Sequence, residues 1–565
     1  MQLKIDGIPV IAQPEQSLKD LLLRLNLDGE KMVDRAIAAK IAGEVFNLNY
    51  VPLRAKDISD DRVSIRRAME ASNGIVQLIR YGDSAGKQVY TRTAQFVIFL
   101  ALHRLYPGIR VKMNCTVGNA LYIEVQSKDF YVEVLRTEVE MLVKKDIPLV
   151  RRRLNLDDAI THFKSVHQFD KAQLLTLRSE NYFDVYEYDG FLDYYYGELA
   201  PSTGYLQVWD ILPAEGGFLF LFPDDISPDE VAKYVEMPKF MSVCMEGERW
   251  CELMGCETVA DLNRLVAEGK IRELVRVNEA LHEKRFSQVA DLVCSRGAKA
   301  VMLSGPSSSG KTTSANRLAT QLRVHGKKPV LISLDDYYID RDKILPGPDG
   351  MVDLEHINTI DIDLFRLHLQ RLLSNEAVIL PRFDFKTGKR ICRNESMKLS
   401  SDSVIIVEGL HALNPLLLPN GIPDELIFKM YVSPLIPLNL DDHNRISTSF
   451  MRLLRRIVRD YETRGASVQQ TMSMWESVRR GEKEWIFPYQ ENADVIFNSS
   501  TLYEPVVLKR HIFPLLTAIQ PEDSCYEAVR GLVKVLNYIC EADIDDEIPP
   551  TSIVREFVGG NSFYK

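Results

Sequence analysis

The chain has 565 residues, of which 46% are apolar and 26% charged, with a formal net charge of −10. That length exceeds a single core and requires about three to four domains, while the acidic balance excludes a protein that coats nucleic acid through its overall field. No apolar run nears the ~20 residues that span a bilayer, and the opening Met-Gln-Leu-Lys-Ile is not a basic-then-apolar leader, so a cytoplasmic protein is expected.

In chain order, Leu3–Ile5 is strand-like, Ser17–Leu25 is helical, and Ala36–Gly43 is an apolar run followed by Glu44–Asn49. Lys144, Lys145, Arg151, Arg152 and Arg153 form a basic cluster that reads first as a solvated loop and second as a phosphate contact. Tyr182, Phe183, Tyr186, Tyr188, Phe191 and Tyr194–Tyr196 nearly alternate, as strands of a packed sheet do. From about Pro228 to Leu292 the pattern is helical and charged. Cys244, Cys251 and Cys256 lie close, but their spacing fits buried small hydrophobes better than a metal knuckle.

The densest chemistry starts at Lys299–Ser304, a short run fit for a buried strand. Gly305-Pro306-Ser307-Ser308-Ser309-Gly310-Lys311-Thr312 follows, and Thr313 leads into a helix carrying Ala315, Leu318, Ala319 and Leu322. This G-x-x-x-x-G-K-T pattern is a P-loop: backbone N–H groups wrap a polyphosphate, the lysine reaches its outer phosphates and the threonine hydroxyl meets Mg²⁺. Four more apolar runs, Pro329–Leu334, Val404–Val407, Leu426–Val432 and Asp494–Phe497, alternate with helical segments. They predict an α/β, doubly wound parallel sheet with its chemistry at the carboxyl ends of the strands. Asp335 and Glu408 arrive at those ends, one suited to accept a hydroxyl proton and the other to hold a metal. Arg452, Arg455, Arg456 and Arg459 recur at helical spacing and, beside an ATP site, read as a lid that neutralises the transferring phosphoryl group. No N-K-x-D element follows the P-loop, which disfavours a GTPase. Tyr503 to Ile539 is largely helical, and the acidic stretch Glu541–Glu547 is expected to be exposed.

The ordered set G-P-S-S-S-G-K-T, L-D-D-Y-Y, V-D-L-E-H, P-R-F-D-F, V-E-G-L and R-L-L-R-R-I-V-R-D resembles the uridine kinase and phosphoribulokinase family from about Ala298 to Ser499. The resemblance implies ATP on residues Gly305 to Thr313, Mg²⁺ on Thr312 and Glu408, and Asp335 as the base for the acceptor hydroxyl. It further implies Tyr338 near the acceptor, Glu355 on ribose hydroxyls, Phe383 along the base, the arginines up to Arg464 as a lid, and Gln470 as an acceptor contact. Gly388 stands where many uridine kinases carry a base-reading histidine. Without it the resemblance does not carry over recognition of the pyrimidine edge, and it is Tyr338, Phe383 and Glu355 that lead to the expectation of a ribonucleoside acceptor, uridine first and cytidine next. A sugar phosphate held by Lys386, Lys389 and Arg390 stays open, as do another small-molecule acceptor and an RNA-binding regulator that senses nucleotides.

Ala36–Asn49 is similar to the TGS domain, a small ubiquitin-like α+β module. Leu105-Tyr-Pro107 and Asp193–Gly204 resemble the editing domain of threonyl-tRNA synthetase, also α+β. In that family two helical histidines and a C-x-x-x-H pair handle metal or water; by count they fall here on Arg92, Phe96, Tyr195 and Leu199. The scaffold is expected without the editing chemistry, because none of these residue types binds a metal or activates water as His and Cys do. The expected division is 1–62 TGS-like, 63–227 editing-like, 228–292 helical connector, 293–500 kinase and 501–565 helical extension. An RNA contact through the N-terminal half and a homo-oligomer both stay open.

Overall fold

The computed structural model describes residues 2–563 except 30, 53–61, 179, 345–352, 354 and 385–386. The chain forms two compact units. The first holds residues up to Glu236, together with Thr258–Ala260 and Asn439–Arg445; the second holds the rest.

The first unit opens with a five-stranded sheet ordered Ile8–Ile11, Gln2–Ile5, Ile75–Arg80, Ala36–Ile41, Glu44–Phe46. Its central strand, Ile75–Arg80, runs parallel to Gln2–Ile5 and comes from beyond residue 62. Helix Leu18–Leu25 buries Leu18, Leu21 and Leu22 in the core of this sheet and starts on a capping box between Ser17 and Asp20. A second core surrounds the 22-residue helix Ser84–Leu105, against the four-stranded sheet Asp210–Ala214, Gly217–Leu221, Ala120–Val125, Val111–Val117. Most of the alternating aromatics lie in strands, since Tyr182–Tyr188 pairs with both Arg151–Asn155 and Phe191–Asp193, but Tyr194–Tyr196 follow the last strand outside the sheet. The first unit also buries a charged cluster. Lys171 Nζ lies 2.6 Å from Asp193 Oδ1 and 2.8 Å from His443 Nδ1, and the His443 ring stacks on Phe99 with centroids 3.9 Å apart. Burial raises Asp193, but Lys171 and His443 outweigh it and hold the carboxyl well below the usual range.

In the second unit the parallel sheet comprises β1 (Ala300–Ser304), β2 (Lys328–Ser333), β3 (Ser403–Glu408), β4 (Ile427–Ser433) and β5 (Val495–Asn498), in the order β2-β3-β1-β4-β5. Central β1 is wholly buried, as its uninterrupted Ala-Val-Met-Leu-Ser run requires. Helix α1 (Lys311–Val324) returns from β1, α2 (Thr448–Arg464) and α3 (Val468–Trp485) follow β4, and the short α4 (Arg555–Val558) lies near the described C-terminus. An antiparallel hairpin of Val378–Asp384 with Lys389–Met397 stands outside this sheet. Neither strand was read from the sequence, although Val378–Asp384 carries the apolar run Val-Ile-Leu.

Candidate functional site

The loop between β1 and α1 turns through positive φ at Ser308 (59°) and Gly310 (86°). Glycine is needed at Gly310 on two grounds: its backbone is left-handed, and a Cβ there would lie 2.5 Å from Ile553 Cγ2. At Gly305 a Cβ would lie 2.1 Å from the Val432 carbonyl oxygen, so only glycine lets the loop pass β4. Lys311 Nζ donates back to the Pro306 carbonyl at 3.0 Å. Burial lowers the lysine's pKa even against the pull of Glu408, Asp335 and Glu556. Thr313 donates to Glu556 Oε2 from both its N–H (3.1 Å) and its hydroxyl (2.7 Å), and Asn561 Nδ2 donates to the same hydroxyl at 3.1 Å.

The arginines of α2 divide into two groups. Arg452 (1% exposed) and Arg455 (fully buried) lie under the loop. Arg452 Nε donates to Ser307 O at 2.8 Å, and its guanidinium pairs with the buried Glu482, whose Oε1 also accepts the Ser307 N–H at 3.0 Å. Arg455 donates to Ser308 O at 3.3 Å and Ser499 O at 2.9 Å and pairs with Glu504, 2.7 Å between Nη2 and Oε2. Arg456, Arg459 and Arg464 instead share the single carboxylate of Asp460, at 3.4, 2.8 and 3.4 Å. One acid facing three guanidiniums leaves this end of α2 with surplus positive charge. Arg456 also donates to Ser307 Oγ at 2.8 Å.

At the acceptor end, Asp335 sits in the 3₁₀ turn Leu334–Tyr337 that closes β2. Ser333 Oγ accepts from the Asp335 N–H at 3.3 Å and donates to Glu408 Oε1 at 2.8 Å, tying the ends of β2 and β3 together. Burial, then repulsion from Asp335, pushes Glu408 up to about 7 against the pull of Lys311. Burial also raises Asp335, opposed by Lys311 and Arg464. Two crowded carboxylates, both pushed up by burial, stand with the Thr312 hydroxyl as an all-oxygen donor set. That chemistry suits a hard divalent cation.

Tyr338 and Phe383 meet edge to face, with centroids 5.6 Å apart, and Asp336 Oδ1 fixes the Phe383 N–H at 3.1 Å. Burial raises Glu355 to about 7, over the pull of Arg456, and its Oε2 is buried with no hydrogen-bond partner. In the loop, Ser308 Oγ and Ser309 Oγ are also buried without hydrogen-bond partners, and the buried His411 ring has the Glu355 backbone as its partner. Gln470 does not join this cluster: it is exposed, and its amide closes the capping box of α3 with Ser467. Phe385, Lys386, Val352 and Leu354 lie outside the described residues. Arg390 pairs with Asp361 at 2.7 Å, and a Cβ on Gly388 would lie 2.7 Å from Arg341 Cδ. The sequence reading did not single out Ser333, His411, Glu482 or Glu556. Ser333, directly before L-D-D-Y-Y, and His411, directly after V-E-G-L, stood beside a motif.

In the first unit the four counted positions do come together. The Phe96 and Tyr195 rings lie 6.4 Å apart, Arg92 Nε donates to Glu198 O at 3.1 Å, and Leu199 is buried in the same core. The arginines of the basic cluster are paired: Arg151 with Glu198 at 3.1 Å, Arg152 with Glu187, and Arg153 with Asp184 at 2.9 Å.

Residues 300–503 match the phosphoribulokinase/uridine kinase family. The chain is 31% identical over 195 residues to a uridine kinase of Brevibacillus brevis, covering 34% of this chain and 81% of that kinase. It is 31% identical over 222 residues to a uridine kinase of Vibrio atlanticus, covering 38% of this chain and 95% of that kinase. Its N-terminal region is similar to a threonine–tRNA ligase of Desulforamulus reducens, 24% identical over 188 residues; this is 32% of the chain but only 27% of the ligase. Among solved structures, D-glycerate 3-kinase of Cryptococcus neoformans aligns with 35% of this chain and 87% of its own, at 16% identity and a TM-score of 0.25. With a P-loop facing strand-end carboxylates and these relatives at 31% identity, the chain belongs to the phosphoribulokinase/uridine kinase family and is an ATP-dependent kinase.

Proposed function

We propose that the protein transfers the γ-phosphoryl group of ATP to the 5′-hydroxyl of a ribonucleoside, uridine first and cytidine next. The observation that carries this reading is the meeting of Asp335, a buried aromatic edge and the unpartnered carboxylate oxygen of Glu355 at one end of the P-loop. Asp335 takes the proton of the attacking hydroxyl. Tyr338 and Phe383 offer apolar surface to a flat base, and Glu355 accepts from a cis-diol. Lys311 and the loop N–H groups from Ser308 to Thr312 hold the phosphates, while Arg456, Arg459 and Arg464 balance charge on the group in transfer. Arg452 and Arg455 serve by bracing Ser307 and Ser308 from below. Thr312 and Glu408 are the residues that would hold Mg²⁺, which when bound neutralises phosphate charge.

The sugar-phosphate alternative draws less support, because Arg390 already pairs with Asp361. Residues 63–227 are assigned as an editing-like scaffold without editing chemistry, since a guanidinium, two rings and a leucine fill that place. The likeness to the ligase supports an RNA contact, but the paired Arg151–Arg153 stretch is not its source. Among the described residues no helix is long and apolar enough to cross a membrane, in keeping with a cytoplasmic place of work.

The test is ADP formation with uridine, cytidine, inosine, guanosine, 2′-deoxyuridine and ribulose 5-phosphate. The highest kcat/KM is expected for uridine, with weak discrimination among bases because Gly388 offers no side chain to read them. Turnover of ribulose 5-phosphate alone would sink the nucleoside reading.

A further inference from the structure

The first turn of α1 already carries an anion that belongs to the chain. Glu556 Oε2 accepts from the Thr313 N–H at 3.1 Å and from the Thr313 hydroxyl at 2.7 Å, and Asn561 Nδ2 donates to that hydroxyl at 3.1 Å. Thr313 is the third residue of α1, so its N–H is one of those that a helix leaves without an internal carbonyl. In a P-loop such groups receive phosphate, because the helix dipole adds to the pull of the N–H bonds on an anion. A carboxylate from the far end of the chain therefore sits on a donor of the phosphate-binding turn.

The segment that carries Glu556 is docked by its neighbours. Ser552, Ile553, Val554 and Phe557 are fully buried. Ser552 Oγ donates to Glu279 Oε1 at 2.7 Å, the Arg455 guanidinium lies 4.8 Å from the centre of the Phe557 ring, and Ile553 stands against Gly310. These contacts hold the backbone of the segment without the Glu556 side chain, which is only half-buried. Glu556 also differs from Glu482, the other acid on the loop. Glu482 accepts the Ser307 N–H but is paired with Arg452, whereas among the described residues no lysine or arginine forms an ion pair with Glu556. Its charge is left uncompensated and bears on both Lys311 and Glu408.

We propose that Glu556 competes with the nucleotide for Thr313 and so sets how tightly the site holds its phosphates. The carboxylate takes the place of a phosphate oxygen on the Thr313 N–H and hydroxyl, and ATP binds as the side chain gives up these two hydrogen bonds. ADP brings phosphates to the same turn, so the effect extends to the product. Ile553 and Phe557 stay in place and shape the loop, while Glu556 limits its affinity. The proposal rests on the kinase assignment alone and holds whatever alcohol is the acceptor.

The experiment titrates ATP, ADP and tripolyphosphate into full-length wild type and E556Q by calorimetry, with melting curves for both and steady-state kinetics on whichever acceptor turns over. Glutamine keeps the shape and one acceptor oxygen for Thr313 but removes the charge. The Kd of all three ligands is expected to fall about ten- to a hundredfold in E556Q, the scale of taking a like charge away from a bound polyanion, while the acceptor KM at saturating ATP stays within about twofold. ATP should accordingly raise the melting temperature of E556Q by more than that of wild type. An ATP Kd that is unchanged or weaker in E556Q would overturn the proposal, because a residue that merely braces the loop gives no gain in affinity when it is altered. An equal gain for the acceptor would overturn it as well, since the competition is for phosphate alone. So would an E556Q protein that fails to fold, for the carboxylate would then be a cap that the structure requires.

Discussion

Glu482 offers the sharpest test of how the P-loop is supported. Its side chain is fully buried, pairs with the equally buried Arg452 and accepts the Ser307 N–H at 3.0 Å. Glu482→Ala strands a guanidinium with only the Ser307 carbonyl and the Trp475 ring, 5.5 Å away, to face it, and orphans a loop amide. Removing one partner of a buried pair costs about 3–5 kcal/mol, and an unsatisfied amide alone about 1–3, so a net loss of about 4 kcal/mol is expected. At about 2–4 °C per kcal/mol for a large domain, the melting temperature should fall by about 8–16 °C. The diagnostic measurement is the double variant Arg452→Met with Glu482→Leu. Apolar replacement of a buried ion pair is often close to neutral, so the double variant should melt well above Glu482→Ala alone. Calorimetry with and without ATP reads both effects. A Glu482→Ala protein that melts within about 2 °C of wild type, or a double variant no better than the single, would refute this account of the loop.

Lys311→Ala should abolish phosphoryl transfer with the fold intact by circular dichroism; near-normal turnover would remove the P-loop from the mechanism. Asp335→Asn should lower kcat by ~10²–10⁴, the scale of a lost positioned base, with little change in ATP affinity by titration. Glu355, raised to about 7 in the ligand-free protein, contributes stability that is full below its unfolded pKa near 4.5 and lost as pH rises toward 7. Glu355→Gln should therefore be stabilising relative to wild type by an amount that grows from pH 5 to pH 8; a flat difference in melting temperature would contradict the raised value. In the first unit, Lys171→Met removes the buried cation paired with Asp193 and should cost about 3–5 kcal/mol in chemical denaturation.

The chemistry that was legible in the sequence is local. The P-loop, Asp335 and Glu408 each sit at the end of an apolar run, so strand periodicity and one motif place them together. The supports were not legible, because each joins residues far apart in the chain: Ser307 and Glu482 are 175 residues apart, and Arg455 and Glu504 are 49. An arginine run at helical spacing shows that a charged face exists. It does not show that Arg452 and Arg455 point under the loop while Arg456, Arg459 and Arg464 gather on Asp460, since that depends on which acids the distant chain brings near. Gln470 is a different case. Ser467 three residues before it is a local capping-box signal, and the family resemblance drew attention away from it. In the first unit, the strand Ile75–Arg80 enters the first sheet by a parallel crossover, and sequence proximity to the next helix gave no hint of that pairing.

The family match ends at residue 503, yet Ile553 lies against Gly310, and Glu556 holds Thr313 from 243 residues away. A protein trimmed to the matched region would keep every recognisable motif and lose one wall of the phosphate loop. During synthesis the loop is likewise made long before the residues that brace it, so a growing chain carries the complete signature of a kinase well before it can shape the site. Nucleotide binding by this protein is thus a measure of how fully the chain has folded onto itself, rather than of the presence of the motif.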